Sequence, residues 1–184
     1  MKKQKGFSLI ELLIVVAIIL IIAAIAIPNL LRSKMAANNS AAASTLRTVN
    51  TAEVTYATDY PTQGYSDTWT RLGPAPTGTC DINTACLLDQ VVACTAAAGP
   101  CPKSGYNYLI NGGGATAAPF GNYAVAATPI TMGSSGDGNY CSSADAVVRS
   151  SKNAVPALTA LPAALTAPPV PSVCSDITQF GPIQ

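Results

Sequence analysis

The chain of 184 residues is long enough for one domain with an appendage, and charged residues make up only 10% of it, where about 25% is usual in soluble domains. Without Lys2, Lys3 and Lys5, which precede the first apolar run, the ten basic residues become seven against nine acidic ones, a net charge of −2. That balance excludes general electrostatic binding of nucleic acid. The absence of histidine removes the commonest general base and metal ligand.

An apolar run from Phe7 to Ile27 follows these lysines and is long enough to cross a bilayer as a helix, which needs about 20 residues. A secretory signal peptide is the alternative, but its apolar core is shorter and ends at an A-x-A-like cleavage site, and no clean site of that kind follows here. We therefore expect a single-pass anchor whose N-terminus is held in the cytoplasm by the lysines, with the rest of the chain on the other side.

Glu11 is the one acidic residue in this apolar run. A carboxylate within a membrane span costs about 2.5–3.5 kcal/mol, and residues of this kind are usually functional. Glu11 comes four residues after Phe7 and so shares a helix face with it. Cleavage between Gly6 and Phe7 would create an α-amine about 6 Å along the helix from that carboxylate. It would also remove the lysines, so the helix could leave the membrane once both charges were neutralised.

The segment Gly6-Phe7-Ser8-Leu9-Ile10-Glu11 resembles the cleavage and methylation motif of type IV pilins and type II secretion pseudopilins. The resemblance continues through the apolar run to about Pro61. It implies cleavage after Gly6 by a prepilin peptidase and methylation of the Phe7 amine. It also implies that Glu11 pairs with the Phe7 amine of a neighbouring subunit, so that the chain forms a homo-oligomeric filament.

The same resemblance implies where the protein works and with which partners. We expect it first in the bacterial inner membrane, crossing once, with its head in the periplasm. It would then pass into an extracellular pilus or a periplasmic pseudopilus, with the help of the pilus or type II secretion assembly machinery. No cofactor is expected.

A helical pattern continues past Pro28 and should end near Asp59, because Tyr60 precedes a proline. Pro28 has no N–H to donate to the Ala24 carbonyl, and it acts either as a harmless kink or as a hinge of the filament helix; the sequence leaves both open. A helix from Phe7 to Asp59 would be about 80 Å long. We expect a leader at 1–6, an assembly helix at 7–32, an amphipathic outer half at 33–60 and a globular head at 61–184.

Six cysteines all follow the apolar run, and an even number on one side of a membrane predicts disulfides in an oxidising compartment. Zinc is disfavoured because no C-x-x-C pair and no histidine is present. A short helix over about 85–93 is expected, with cysteines flanking both of its ends. Among the 15 possible connectivities we favour Cys80–Cys86, Cys94–Cys101 and Cys141–Cys174, although the sequence proves none of them. Pilins often carry a disulfide-bounded loop near the C-terminus, so the resemblance favours the last pair.

Three strand candidates follow the loop-rich region. Tyr106, Tyr108 and Ile110 alternate with polar residues, a second alternating run ends at Pro129, and a third strand is expected around 146–148. Short links between consecutive strands predict an antiparallel meander. Packed on the amphipathic helix, the meander gives a two-layer α+β head of the pilin-like kind that the resemblance implies. The Ala/Pro-rich residues 154–171 are expected to run as extended surface chain.

The sequence offers little for chemistry. A Ser–His or Cys–His pair is impossible without histidine, and the glycines at 112–114 form no phosphate-binding motif. Asp137, Asn139 and Asp145 are weak candidates for a Ca²⁺ site, against the simpler reading that they are solvated turn residues.

Three hypotheses for function remain. The chain is a structural subunit of a type IV pilus, a major pseudopilin of a type II secretion system, or a membrane-anchored periplasmic enzyme. The first two share the N-terminal motif, which cannot choose between them. The missing histidine and cofactor motifs argue against the enzyme, so the pilus subunit is the preferred reading and the pseudopilin its alternative.

Overall fold

The protein is described by a computed structural model covering residues 7–76, 78–94, 100–112, 118–151, 174 and 181–183. A helix of 51 residues, α1 (Leu9–Asp59), dominates it, and its end agrees with the prediction. The start differs from the expected Phe7, because Ser8 has extended backbone angles and takes the N-cap position. Pro28 lies inside α1, which continues on both sides of it.

The head consists of a six-stranded antiparallel sheet in which every strand pairs with its neighbours in sequence. This order confirms the predicted meander and the two-layer α+β fold, with α1 lying against β3 and β4. A single helical turn, α2 (Trp69–Leu72), precedes the sheet. The strands are β1 (Cys101–Lys103), β2 (Tyr106–Asn111), β3 (Ala124–Pro129), β4 (Asn139–Ser143), β5 (Arg149–Ser151) and β6 (Gly181–Pro182).

The prediction of a helix over 85–93 is wrong. The backbone N–H groups of Ala85 and Cys86 donate to the carbonyls of Arg71 and Gly73 at 2.7 and 2.9 Å. The next two N–H groups both donate to the Leu72 carbonyl, at 2.9 and 2.8 Å. These donors therefore bind the end of α2 instead of forming a helical ladder, and Leu87, Leu88 and Val92 pack against the core from a loop.

The prediction of a third strand around 146–148 is wrong in its position. Two strands, β4 and β5, lie on either side of those residues, and the segment between them is a turn. Ala146 has a φ of 57°, and the Asp145 carboxylate accepts a hydrogen bond from the Val147 N–H at 3.1 Å. A local side-chain bond of this kind favours a turn over a ladder, whatever the β-propensity of Val147.

All three disulfides join the pairs that the sequence analysis favoured. Cys80–Cys86 and Cys94–Cys101 close loops with sequence separations of 6 and 7, and Cys141–Cys174 spans a separation of 33. The first two tie together the loop-rich region between α2 and the sheet. The third connects β4 to the chain beyond β5, and the predicted extended residues 154–171 inside it lie outside the described residues.

The outer half of α1 buries one face against the sheet. Leu46, Val49 and Tyr56 are fully buried there and meet a layer of tyrosines from the sheet side. Burying side chains of this size contributes roughly 1.5–3 kcal/mol each. That burial fixes the helix on the head and determines which half of it stays free.

A polar group at the centre of this interface sets how helix and sheet are aligned. The Asn50 amide donates to Ser142 Oγ at 2.9 Å and to the Ala146 carbonyl at 3.1 Å, and its oxygen accepts from the Tyr123 hydroxyl at 2.9 Å. A buried amide loses hydrogen bonds if it moves, at a cost of about 1–3 kcal/mol for each unsatisfied group. Sliding α1 along the sheet would therefore break all three bonds together.

A second polar contact fixes the other end of the head. The Tyr106 hydroxyl lies 2.6 Å from Asn39 Oδ1 and 2.9 Å from the Gly138 carbonyl, and Asn39 also contacts Asp137. Asn38 donates to the Ser135 carbonyl at 2.7 Å. We call this end, with the β1–β2 turn and the β3–β4 loop, the proximal end of the head, because it lies nearest the apolar half of α1.

Glu53 is fully buried on the same helix face, 0% exposed. One carboxyl oxygen accepts a hydrogen bond from the Ser66 N–H at 2.8 Å, and the other has no partner among the described residues. Burial, reinforced by the negative charge of Asp67, raises the pKa of Glu53 to about 8 in spite of the Ser66 bond. Glu53 is therefore neutral in the folded head at pH 7.

The Glu53 shift predicts how stability depends on pH. Between about pH 4.5 and pH 8 the unfolded chain loses the Glu53 proton while the folded chain keeps it, so the free energy of unfolding falls as the pH rises. Each pKa unit corresponds to about 1.4 kcal/mol, so the free energy of unfolding falls by several kcal/mol over this pH range. Glu53→Gln should flatten this slope, as measured by urea unfolding of the full chain in detergent with the fluorescence of Trp69, the single tryptophan. Asp59→Asn, an exposed carboxyl on the same helix, is the control, and an unchanged slope in Glu53→Gln would contradict the assignment.

Candidate assembly motif

The first turn of α1 carries the residues that the sequence singled out. Glu11 accepts a hydrogen bond from the backbone N–H of Ser8 at 2.9 Å, which is the glutamate half of a capping box. Within the described residues this is the hydrogen bond that holds the Glu11 side chain. The carboxylate also lies at the positive end of the helix dipole, which favours an anion. The capping bond and the helix dipole thus offset part of the free-energy cost of placing the Glu11 carboxylate in lipid.

Phe7 precedes α1 and is 79% exposed. In the uncleaved chain the helix begins at Leu9, and the spacing of about 6 Å along a helix from Phe7 to Glu11 after cleavage stays a prediction. The capping bond nevertheless keeps Glu11 folded back toward the residue before the helix. Gly6 lies outside the described residues, so the expected cleavage bond remains a prediction.

The apolar half of α1 is not buried by any part of the head among the residues that the structure describes. From Phe7 to Leu31 every large apolar side chain is exposed, by 46% or more. The helix is long and apolar enough in this half to cross a membrane, and its most apolar window is not buried anywhere in the described part of the chain. Roughly 20 such residues match the hydrocarbon thickness. A continuous apolar surface of this size is larger than soluble monomers usually expose to water.

Pro28 lies near the end of this exposed half. Because proline has no N–H, the Ala24 carbonyl lacks its helical donor at this point. The chain nevertheless keeps helical geometry through Pro28. The choice between a harmless kink and a hinge stays open, and Pro28 stays a predicted assembly residue.

The weak calcium candidates do not come together. Asp137 and Asn139 lie at the start of β4, whereas Asp145 follows the end of that strand. Asp145 is paired with Arg149, whose hydrogen bond holds the pKa of Asp145 below its usual range. In the described ranges no group of three or more acidic or sulfur side chains could hold a metal ion. These residues therefore lie toward opposite ends of β4, and the calcium site stays a weak prediction.

Sequence reasoning missed the polar residues that hold α1 on the head. Asn39, Asn50 and Glu53 occupy or flank the same helical stripe as the apolar residues, and the sequence analysis gave none of them a role. Their position in the sequence could have identified them. A polar residue three or four positions from buried apolar residues lies on the same helix face and needs a hydrogen-bond partner when that face is buried.

Comparison with known proteins finds relatives of the N-terminal part. Residues 1–27 match the model of the prokaryotic N-terminal methylation motif. The type IV major pilin protein PilA of Myxococcus xanthus is 42% identical over 74 residues, 40% of this chain and 33% of that protein. The type IV wide pilus major component PilA4 of Thermus thermophilus is 60% identical over 40 residues, 22% of this chain and 30% of that protein. The chain thus spans about one third of the length of these relatives.

The capped glutamate and most of the exposed apolar helix lie within the residues that the family model matches. The chain therefore carries the prokaryotic N-terminal methylation motif and is similar, over 74 and 40 of its residues, to the major subunits of type IV pili.

Proposed function

We propose that this protein is a structural subunit of a type IV pilus, cleaved after Gly6, methylated on the Phe7 amine and assembled through α1. The observation that carries the proposal is Glu11, a carboxylate at the start of an exposed apolar helix whose described partner is one backbone N–H. The matched motif and the pilus subunits to which the region is similar support it. The work of the protein is then polymerisation, with no active site.

The proposed assembly step follows from electrostatics. A prepilin peptidase removes residues 1–6 and with them Lys2, Lys3 and Lys5, the charges that hold the N-terminus in the cytoplasm. The new amine and Glu11 are then the charges left within the apolar part of the helix. Each is costly alone in a low-dielectric environment, and a pair between neighbouring subunits offsets both costs. The pair thereby fixes how far one helix is displaced along the next.

Helix packing supplies the rest of the proposed filament. The exposed apolar surface of α1 is satisfied by lipid in the membrane and by the helices of other subunits in a filament. Lipid tails are about as apolar as these side chains, so the transfer between the two environments is nearly balanced. A specific charge pair can then determine the register. We place the subunit first in the inner membrane, with its head in the periplasm, and then in the extracellular fibre.

The alternative is a pseudopilin of a type II secretion system. It would use the same motif and the same helix, so the geometry of α1 does not distinguish the two. The relatives found for the N-terminal region are named as pilus components, which favours the pilus.

Replacing Glu11 tests the charge pair. Glu11→Gln keeps the size and the capping acceptor but removes the charge, so fibres should decrease at least about tenfold if the pair is worth 1.4 kcal/mol or more. The measurement is the amount of this subunit in sheared surface fibres relative to the membrane. Asp59→Asn, an exposed carboxyl at the far end of the same helix, should leave fibres unchanged. Normal fibres from Glu11→Gln would refute the assembly mechanism.

Processing is tested by the mass of the mature protein. The intact mass should correspond to a chain that begins at Phe7 and carries one methyl group. Gly6→Val places a β-branched side chain at the expected cleavage bond and should leave the unprocessed chain in the membrane. A wild-type protein that retains residues 1–6 would contradict both the cleavage and the exposed amine that Glu11 requires.

Location separates the pilus from the pseudopilus. Proteomics of sheared fibres should recover this chain as a main component, in molar excess over membrane proteins. Recovery from membranes alone, in cells that still secrete proteins through a type II system, would favour the pseudopilin. Deleting that secretion system should not change the amount of the chain in sheared fibres.

A further inference from the structure

The proximal end of the head shows two exposed apolar side chains, Ile130 and Met132, which are 54% and 43% exposed. Both belong to the β3–β4 loop, which the hydrogen bond from Asn38 to the Ser135 carbonyl holds beside α1. That loop therefore lies at the level where the helix enters the head, facing the apolar half. Their exposed apolar atoms are available at that level to an apolar neighbour such as the acyl boundary of a bilayer.

Positive charge collects at the same end. Arg32 and Lys34 are exposed on α1, about 9 and 6 Å closer to the apolar half than Asn38. Lys103 ends β1 at the proximal turn and pairs in register with Tyr106, whose hydroxyl reaches Asn39. Both ion pairs found within the described residues, Arg71–Asp67 and Arg149–Asp145, are elsewhere.

Negative charge lies mostly at the other end of the head. Asp59 ends α1, Asp67 follows the Ser66 that binds Glu53, and Asp145 adjoins the turn that binds Asn50. Asp81 precedes Ile82, whose carbonyl accepts the Tyr56 hydroxyl. Among the residues that the structure describes, the carboxylate at the proximal end is that of Asp137, which accepts a hydrogen bond from Asn39. The head is thus polarised, with its basic end toward the apolar half of α1.

The apolar surface of α1 also ends at a slant. On the side that faces the head, Leu31 and Met35 continue the stripe that runs on through Asn38 to the buried Ala42. On the opposite side the surface is already polar at Asn29 and Ser33, whose hydroxyl donates to the Asn29 carbonyl at 3.0 Å. A helix with this boundary buries most apolar surface when it tilts toward the head. Its apolar stretch is also somewhat longer than the hydrocarbon thickness, which is accommodated by tilt.

We propose that, before assembly, the proximal end of the head docks on the surface of the bilayer and binds anionic lipid headgroups through Arg32, Lys34 and Lys103, with Ile130 and Met132 at the headgroup–acyl boundary. The inference rests on the membrane anchoring proposed above. Tilt brings the β3–β4 loop down to the membrane, and basic side chains beside exposed apolar ones suit an anionic interface. Extraction into a filament must then break these lipid contacts.

The test places a single indole as a depth probe in the full chain, reconstituted at one copy per nanodisc with brominated acyl chains, in phosphatidylcholine alone or with phosphatidylglycerol added. Met132→Trp should be quenched more strongly in the anionic discs. Val54→Trp, equally exposed but at the level of the far end of the head, should not be quenched in either. Trp69 is buried in the head and supplies a constant background.

Charge variants identify the contacts. Arg32→Gln, Lys34→Gln and Lys103→Gln should each lower the equilibrium constant for docking in anionic discs, by roughly fivefold per basic side chain removed. Arg47→Gln, which removes an exposed basic residue farther out on the same helix, is the matched control and should have no effect. Higher salt should weaken the quenching difference, because exposed charges are screened.

Ile18→Trp, within the apolar half, separates the possible failures. Quenching at position 18 without extra quenching at position 132 in anionic discs would overturn the docking proposal while leaving the anchor intact. No quenching at position 18 would overturn the anchor and the docking together. Extra quenching at position 132 that appears only with two copies per disc would also overturn the docking proposal. It would indicate contact with a second subunit instead.

Discussion

The attachment of α1 to the sheet is the interaction on which the rest of the structure depends. Leu46, Val49 and Tyr56 bury one face of the helix in the head, and Asn50 fixes its position along β4 through Ser142. This burial is confined to the outer half of a helix that is otherwise continuous. The head therefore covers about half of the rod and leaves the apolar half to be covered by something other than this chain.

The two halves of α1 meet different demands within one element. In the outer half the helix is held by specific contacts, including a carboxyl, Glu53, that is neutral because burial raises its pKa. In the apolar half the described contacts are local, and the capping bond from Ser8 to Glu11 partly compensates a carboxylate placed among apolar residues. Glu53 is thus stabilised by losing its charge, while Glu11 is the carboxylate that pairs with a neighbouring subunit in the proposed assembly. This contrast links fold stability to pH and assembly to the N-terminus.

Charge along the molecule gives the head a direction. Basic side chains lie at the end nearest the apolar helix and most carboxylates lie at the far end, beyond Asn50. In a membrane this arrangement puts the positive end against the headgroups. In a filament the same end would face neighbouring subunits, so the lipid contacts proposed for the free subunit and the contacts of an assembled one would compete for the same side chains.

The sequence by itself determined the N-terminal third of this protein, as far as Asp59. The apolar run, the placement of Glu11 and the end of the helix at Asp59 follow from local patterns, because a membrane span and a proline boundary need no knowledge of distant residues. The meander also followed from alternation along the chain, and short spacing favoured the two local cysteine pairs, whereas the resemblance supported Cys141–Cys174.

Only the tertiary structure decided where the remaining segments go. The helix expected over 85–93 does not form because the N–H groups of residues 85–88 bind the end of α2, and Val147 lies in a turn because Asp145 binds its N–H. The roles of Asn39, Asn50 and Glu53 depend on partners 13 to 98 residues away in sequence. Hydrogen bonds and burial across such separations override local propensity, and no pattern within a short window of sequence contains them.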